Sequence, residues 1–124
     1  GGFASCPNLK SVVFSDGLKT LGQRAFSYCD SLAEITLPEG LETIGASAFE
    51  GCANLKSVNV PASVTSIGVS TFSNSGTMNL YFEGDCPQIL DGDKFAGDVT
   101  IYYDADTSGW DTTPLKESHN LIPN

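Results

Sequence analysis

The stretch FSYCDSLAEITLPEGLETIGASA, residues 26–48, is followed directly by FEGCANLKSVNVPASVTSIGVST, residues 49–71. The two units have equal length and share one apolar pattern, one proline and one glycine at matching positions. The opening phenylalanine returns at the same spacing over most of the chain, at Phe3, Phe26, Phe49, Phe72 and Phe95. Self-similarity at a fixed period of this length is typical of a solenoid, in which each repeat adds one coil to a stacked core. The sequence therefore predicts a solenoid of about four to five coils, with repeats that start near these five phenylalanines.

Each unit contains one segment that predicts a short strand. Ile35 and Leu37 alternate with polar residues, which is the period of a half-buried strand. Pro38 then ends the strand, because proline cannot donate to a strand ladder. A second apolar pair, Leu41 and Ile44, leads into a glycine, and small residues precede the next phenylalanine. We expect stacked short parallel β-strands on one side of each coil, and turns or short helical turns on the opposite face.

The periodic pattern weakens toward the C-terminus. Ser75 stands where the earlier repeats have cysteine, and the last strand, 99–103, is reached too soon for a full repeat. Solenoids need an atypical end that covers the last open coil. We therefore predict a solenoid over residues 1–103 and an irregular C-terminal cap or tail over 104–124, with Trp110 placed to cover the last coil.

Composition restricts the partners. Six Lys and Arg stand against fifteen Asp and Glu, which gives a formal net charge of −9. Affinity for nucleic acid depends on cationic contacts to phosphate, and attraction to anionic lipid depends on basic residues, so both partners are disfavoured. No segment approaches the roughly 18–20 apolar residues of a membrane-spanning helix. We expect no nucleic-acid partner and no direct membrane insertion.

The four cysteines suggest packing rather than chemistry. Cys6, Cys29 and Cys52 follow the 23-residue period, which would stack them on successive coils. Stacked side chains point in parallel, which suits a disulfide torsion near 90° poorly, so we expect buried thiols that act as small hydrophobic groups. This spacing matches no zinc motif. Cys86 lies off this ladder and is the cysteine that we expect to be most reactive.

Catalytic motifs are equally weak. The chain has one histidine, His119, in the aperiodic tail, and it has no Gly-x-Ser-x-Gly segment. The segment 91–93 has the Asp-Gly-Asp start of a calcium loop but lacks the alternate ligands and the closing glutamate. We expect a non-catalytic protein without metal or cofactor. A hydrolase that uses paired carboxylates stays a further alternative, although no pair stands out by spacing.

The remaining function is recognition of a partner by exposed residues of the solenoid. The residues between the apolar positions of each strand face outward; they are Ser11, Val13, Glu34, Thr36, Ser57, Asn59, Asn79, Tyr81, Glu83, Thr100 and Tyr102. Aromatic side chains are enriched at interfaces. We therefore predict a partner-binding site formed by Tyr81, Glu83, Tyr102, Asp104 and Trp110. Alternatively, the two tyrosines form a cross-strand pair that stabilises the sheet by roughly 0.2–1 kcal/mol, and the tryptophan is a lid.

The repeat resembles the BspA-like leucine-rich-repeat family. That family's pattern is close to Leu-x-x-Ile-x-Leu-Pro, then Val/Leu-x-x-Ile-Gly, then Ala-Phe-x-x-Cys-x-x-Leu, and residues 32–38, 41–45 and 48–55 match it. The resemblance covers roughly residues 3–110. It implies a curved leucine-rich-repeat solenoid on a secreted or cell-surface protein, often bacterial, that mediates protein contacts or adhesion and has no shared catalytic residues.

We interpret the chain as a fragment of a longer protein, because Phe3 falls in mid-repeat; the signal and the anchor would lie outside it. The predicted function is non-catalytic binding of protein, possible partners being a host surface or extracellular matrix. One alternative is a carbohydrate-binding module with Tyr81, Tyr102 and Trp110 as a stacking platform. The other is a structural spacer between domains.

Overall fold

The chain winds into a parallel β-solenoid. The computed structural model describes residues 6–75, 78–89, 99–110, 113 and 120–123. Within these ranges it contains no helix and eight strands. They are β1 (Thr20–Leu21), β2 (Thr43–Ile44), β3 (Ser57–Val60), β4 (Ser66–Ile67), β5 (Met78–Phe82), β6 (Gln88–Ile89), β7 (Val99–Tyr103) and β8 (Asn120–Pro123).

The strands form two sheets in which every neighbouring pair is parallel. The short-strand sheet has the order β1-β2-β4-β6, and the long-strand sheet has the order β3-β5-β7-β8. From β2 to β7 the strands alternate between the two sheets along the chain, so each of these coils contributes to both. The predicted parallel solenoid is confirmed. Two details differ from the prediction: residues 35–37 form no strand, and the short-strand sheet lies where only turns were expected. The repeat starts at Phe3 and Phe95 lie outside the described residues.

The coils shorten toward the C-terminus. Thr43 pairs with Ser66, the residue at the equivalent position of the next full repeat. In the long-strand sheet, Ser57 pairs with Asn79, Asn79 with Thr100, and Thr100 with Asn120, so each coil is one residue shorter than the coil before it. The strands keep their inward and outward alternation, because the lost residues come from the connections between strands.

The predicted irregular tail, 104–124, contains regular structure. β8 lies inside this segment and extends the long-strand sheet by pairing with β7, Ile101 opposite Leu121. Leu121 packs against the core and is half-buried, so β8 keeps the alternation of the earlier strands. The sequence did not reveal this strand because the shortened coil brings it early, out of phase with the repeat period.

A column of phenylalanine rings fills the centre of the solenoid. The centroid of the Phe49 ring lies 5.7 Å from that of Phe26 and 5.6 Å from that of Phe72, at interplanar angles of 5° and 6°. Phe14 meets Phe26 edge-on at 5.8 Å. All three stacked rings are at most 1% exposed. Each coil therefore completes its core only through its neighbours, as expected of a solenoid.

Turns with left-handed backbone conformation replace the alternative of short helical turns. Arg24, Ser47 and Ser70 have φ of 58°, 58° and 61°, and they recur at the repeat period. A residue in this region cannot continue a right-handed helix. The turns are instead joined between coils by backbone hydrogen bonds, such as Phe26 N to Ala48 O at 2.8 Å and Phe49 N to Thr71 O at 2.9 Å.

Candidate partner-binding face

The outward side of the long-strand sheet is the surface on which the sequence placed its candidates. All eleven residues predicted to face outward are exposed or half-buried. The strand register arranges them in rows across the coils. One row is polar: Ser57, Asn79, Thr100 and Asn120. The other, here called the outer row, is Asn59, Tyr81, Tyr102 and Ile122.

Two tyrosines form the middle of the outer row. The ring centroids of Tyr81 and Tyr102 lie 4.9 Å apart at an interplanar angle of 12°, so the rings are stacked. Tyr81 is 36% exposed, and Tyr102 is half-buried. Ile122 of β8 continues the row beside Tyr102 and is also half-buried. Sequence reasoning missed Ile122 because it did not recognise β8; the apolar pair Leu121–Ile122 was the available signal.

Two carboxylates flank the tyrosines. Glu83 and Asp104 directly follow β5 and β7, whose last residues, Phe82 and Tyr103, are paired in the sheet. Both acidic side chains are exposed. Asp104 also shapes the turn after β7, because its Oδ1 accepts a hydrogen bond from Asp106 N at 2.9 Å. The structure therefore brings four of the five predicted site residues together on one edge of the face.

Trp110 is the exception, because it lies inside the core and not on this face. It is 2% exposed, with its ring stacked on Tyr103 at 4.8 Å and edge-on to Phe82 at 5.0 Å. Its Nε1 donates to Thr107 Oγ1 at 3.0 Å and to Gly84 O at 3.4 Å. The indole is held inside the core because both its apolar surface and its N–H find partners there.

The turn before Trp110 is joined to the preceding coil. Cys86 N donates to Ser108 O at 2.9 Å, and Ser108 N donates to Asp85 Oδ1 at 2.8 Å. These bonds hold the segment that carries Trp110 against residues 84–86. A cavity of about 430 Å³ lies beside Trp110. Since the indole presents almost no surface to this cavity, a platform of three aromatic rings for a glycan is not formed.

The other end of the outward face has a different character. Val13 is 96% exposed and, with Thr36 and Glu39, lines a groove of about 300 Å³. In the repeat, Val13 and Thr36 take the positions that precede Asn59 in the outer row. This end therefore offers aliphatic and acidic groups without a pair of exposed aromatic rings.

The cysteines are thiols held by packing and hydrogen bonds. All four are thiols, and Cys29 and Cys52 are completely buried. Cys52 Sγ donates to Phe26 O at 3.1 Å, and burial raises the pKa of this thiol to about 11. Burial also raises the pKa of Cys86, against a smaller opposing effect of its hydrogen bond with Thr113. A raised pKa reduces the thiolate fraction on which the expected reactivity of Cys86 depends.

The described residues offer no metal centre. They contain no group of three or more His, Cys, Asp or Glu side chains that could hold a metal ion. The candidate calcium segment 91–93 and His119 lie outside the described residues. No helix in the described part of the chain has the length and apolar character needed to span a membrane.

The two parallel sheets, the repeated apolar positions and the stacked phenylalanines define a leucine-rich-repeat solenoid. The chain belongs to the BspA-type leucine-rich-repeat family, whose model matches six copies over residues 1–96. Leucine-rich-repeat solenoids of this kind are typically non-catalytic.

One solved structure shares this fold over almost the whole chain. The crystal structure of the pneumococcal vaccine antigen PcpA superposes with a TM-score of 0.68 at 22% sequence identity, over 98% of this chain. The match covers 37% of the PcpA chain, so the sequence spans well under half of that protein. No curated protein matches the chain.

Proposed function

We propose that this chain is a non-catalytic protein-binding module of a secreted or cell-surface protein, and that its partner docks on the outer row at Tyr81 and Tyr102. The observation that carries the proposal is the stacked tyrosine pair on a solvent-facing sheet. If both rings were buried, packing in the core would be enough to explain them. Tyr81 is instead 36% exposed.

The stack favours binding because it orders the rings in advance. A side chain that is immobilised only on association costs about 0.5–1.5 kcal/mol of the binding free energy. Tyr81 and Tyr102 are already held 4.9 Å apart by each other, on neighbouring strands of the long-strand sheet. A partner therefore binds a surface that is already ordered. Aromatic residues at protein interfaces commonly act as rigid anchors of this kind.

Protein is a better fit than carbohydrate. The alternative glycan platform needs three exposed aromatic rings, and the outer row supplies only the stacked pair Tyr81 and Tyr102. Trp110, the third ring of the alternative platform, is buried. The family membership supports adhesion or another protein contact at a cell surface, since extended repeat surfaces are used in this way.

The test measures binding to immobilised extracellular-matrix and host-surface proteins. We expect saturable binding by the unaltered chain and its loss in a Tyr81→Ala/Tyr102→Ala double variant. The matched control is Tyr28→Ala, which removes another exposed tyrosine, 49% exposed, from a turn remote from the outer row. Thermal unfolding of each variant shows whether the solenoid is intact.

Two results contradict the proposal. Saturable binding that survives in the folded double variant would place the interface elsewhere on the solenoid. A folded, unaltered chain that binds no protein saturably would favour the spacer, for which no interface is needed.

A further inference from the structure

Charge is distributed unevenly along the solenoid. The described residues from 57 onward include four acidic side chains, all exposed: Glu83, Asp85, Asp104 and Asp106. The same residues include no lysine or arginine. The described cations, Lys10, Lys19, Arg24 and Lys56, all precede them. The field at the C-terminal end of the face is negative and attracts a cationic partner.

Two of these carboxylates are positioned beside the tyrosine pair. Glu83 follows Tyr81 at the next outward position of one coil, and Asp104 follows Tyr102 in the same way on the next coil. Alternate residues of a strand share a face. Adjacent strands are about 4.7–4.9 Å apart, and Glu83 and Asp104 each follow one residue of the pair Phe82 and Tyr103. The backbone register therefore places the two acidic residues on neighbouring coils.

A guanidinium group matches this arrangement better than an ammonium group does. It is planar, stacks on aromatic rings and presents a fork of N–H donors that pairs with carboxylates. The outer row supplies aromatic surface, and Glu83 and Asp104 supply the acceptors. We propose that Tyr81, Tyr102, Glu83 and Asp104 bind an arginine side chain in a basic segment of the partner protein. This inference rests on the proposed function and specifies the chemistry of its partner.

The experiment uses capped tetra-arginine, tetra-lysine and tetra-glutamate peptides with the full chain. Nuclear magnetic resonance follows the ring protons of Tyr81 and Tyr102 during each titration. We expect tetra-arginine to shift both rings and to bind about two- to fivefold more tightly than tetra-lysine, the advantage of a stacked cation at an exposed site. Tetra-glutamate should leave both rings unchanged.

Charge-neutralising variants test the carboxylates. Glu83→Gln with Asp104→Asn should weaken tetra-arginine binding about five- to tenfold, as the loss of two exposed ion pairs allows. The asparagine keeps an oxygen that can accept the hydrogen bond from Asp106 N. The control is Glu34→Gln with Glu39→Gln, which removes the same charge from exposed residues on earlier coils. We expect it to change the affinity by less than about twofold.

The outcomes separate this inference from the function on which it rests. The inference is overturned if tetra-lysine binds as tightly as tetra-arginine and neither peptide shifts the tyrosine rings. It is overturned equally if the two double variants weaken tetra-arginine binding to the same extent. It is also overturned if a protein partner binds through the tyrosines but tetra-arginine does not compete; the proposed function then stands. Ring shifts that depend on Glu83 and Asp104 support the inference even where no protein in the panel binds.

Discussion

Ser75 Oγ donates a hydrogen bond to Phe49 O, one coil earlier, over 3.1 Å. Cys52 Sγ makes the equivalent bond to Phe26 O, also over 3.1 Å, although a thiol replaces the hydroxyl. The replacement of cysteine by serine in the fourth repeat therefore preserves a contact between coils. The repeat requires a small buried donor at this position, which both side chains provide.

The donor at Ser75 is expected to stabilise the solenoid. Ser75→Ala should lower the free energy of unfolding by about 0.5–1.5 kcal/mol, the usual net value of one hydrogen bond. Larger losses are not expected, because Phe49 O keeps a bond from Cys52 N at 3.3 Å. Ser75→Cys should cost less than Ser75→Ala. Urea unfolding measures both, with Ser11→Ala at an exposed position as the control. Equal stability of the two alanine variants would show that the bond contributes nothing.

Gly68 is expected to tolerate no side chain. A Cβ at this position would lie 2.7 Å from Ala46 Cα in the preceding coil. Gly68→Ala should therefore destabilise the solenoid by about 1–3 kcal/mol, since the backbone of one coil must move. Gly22 occupies the same repeat position, yet no described atom lies within 4 Å of its Cβ site. Gly22→Ala is the matched control, and similar losses in thermal unfolding for both variants would refute the close-approach explanation.

Stability should decrease at alkaline pH because of the buried thiols. Burial raises the pKa of Cys52 in the folded chain from 9.0 to about 11. The contribution of this thiol to the free energy of unfolding is therefore complete below pH 9 and is lost as the pH rises toward 11. In this window the unfolded chain releases a proton that the folded chain retains. The free energy of unfolding therefore falls by at most about 1.4 kcal/mol per pH unit. Urea unfolding at several pH values, for the unaltered chain and Cys52→Ser, isolates the effect. Parallel pH curves for the two proteins would contradict it.

The phenylalanine column is expected to act cooperatively. Phe49 contacts rings on both sides, so Phe49→Ala should cost about 3–5 kcal/mol and destabilise coils beyond its own. Val13→Ala, at a side chain that is 96% exposed, should change the unfolding free energy by less than about 0.5 kcal/mol. Circular dichroism during urea unfolding gives both values. A loss at Phe49 no larger than that at Val13 would rule out a shared core.

The single tryptophan reports on the C-terminal coil. Trp110 is 2% exposed, so its fluorescence in the folded protein should be blue-shifted and weakly quenched by acrylamide. Binding of a partner at the outer row should leave this quenching unchanged. Strong quenching in the folded state would instead show that the indole is exposed to solvent, as a partner-binding residue would be.

The sequence predicted the outward position of most candidate residues as well as the coil. The alternation around Tyr81 and Tyr102 was enough to place both on the outward face, because inward and outward positions depend only on strand periodicity. The stacking of the two rings required the register between coils, which follows from the lengths of the connections. For Trp110 the sequence offered two places, a cover for the last coil and a site residue, and only the structure shows that the ring is buried.

What the sequence alone determined is the unit: its inward and outward alternation, its proline, its buried phenylalanine and the need for neighbours on both sides. These properties are local, and each is repeated often enough to be recognised. Only the tertiary structure decided how successive units meet. It paired the strand ends that precede Glu83 and Asp104, added β8 to the long-strand sheet and buried Trp110 against Phe82 and Tyr103. These outcomes depend on the register between coils, and that register changes wherever a connection is shortened.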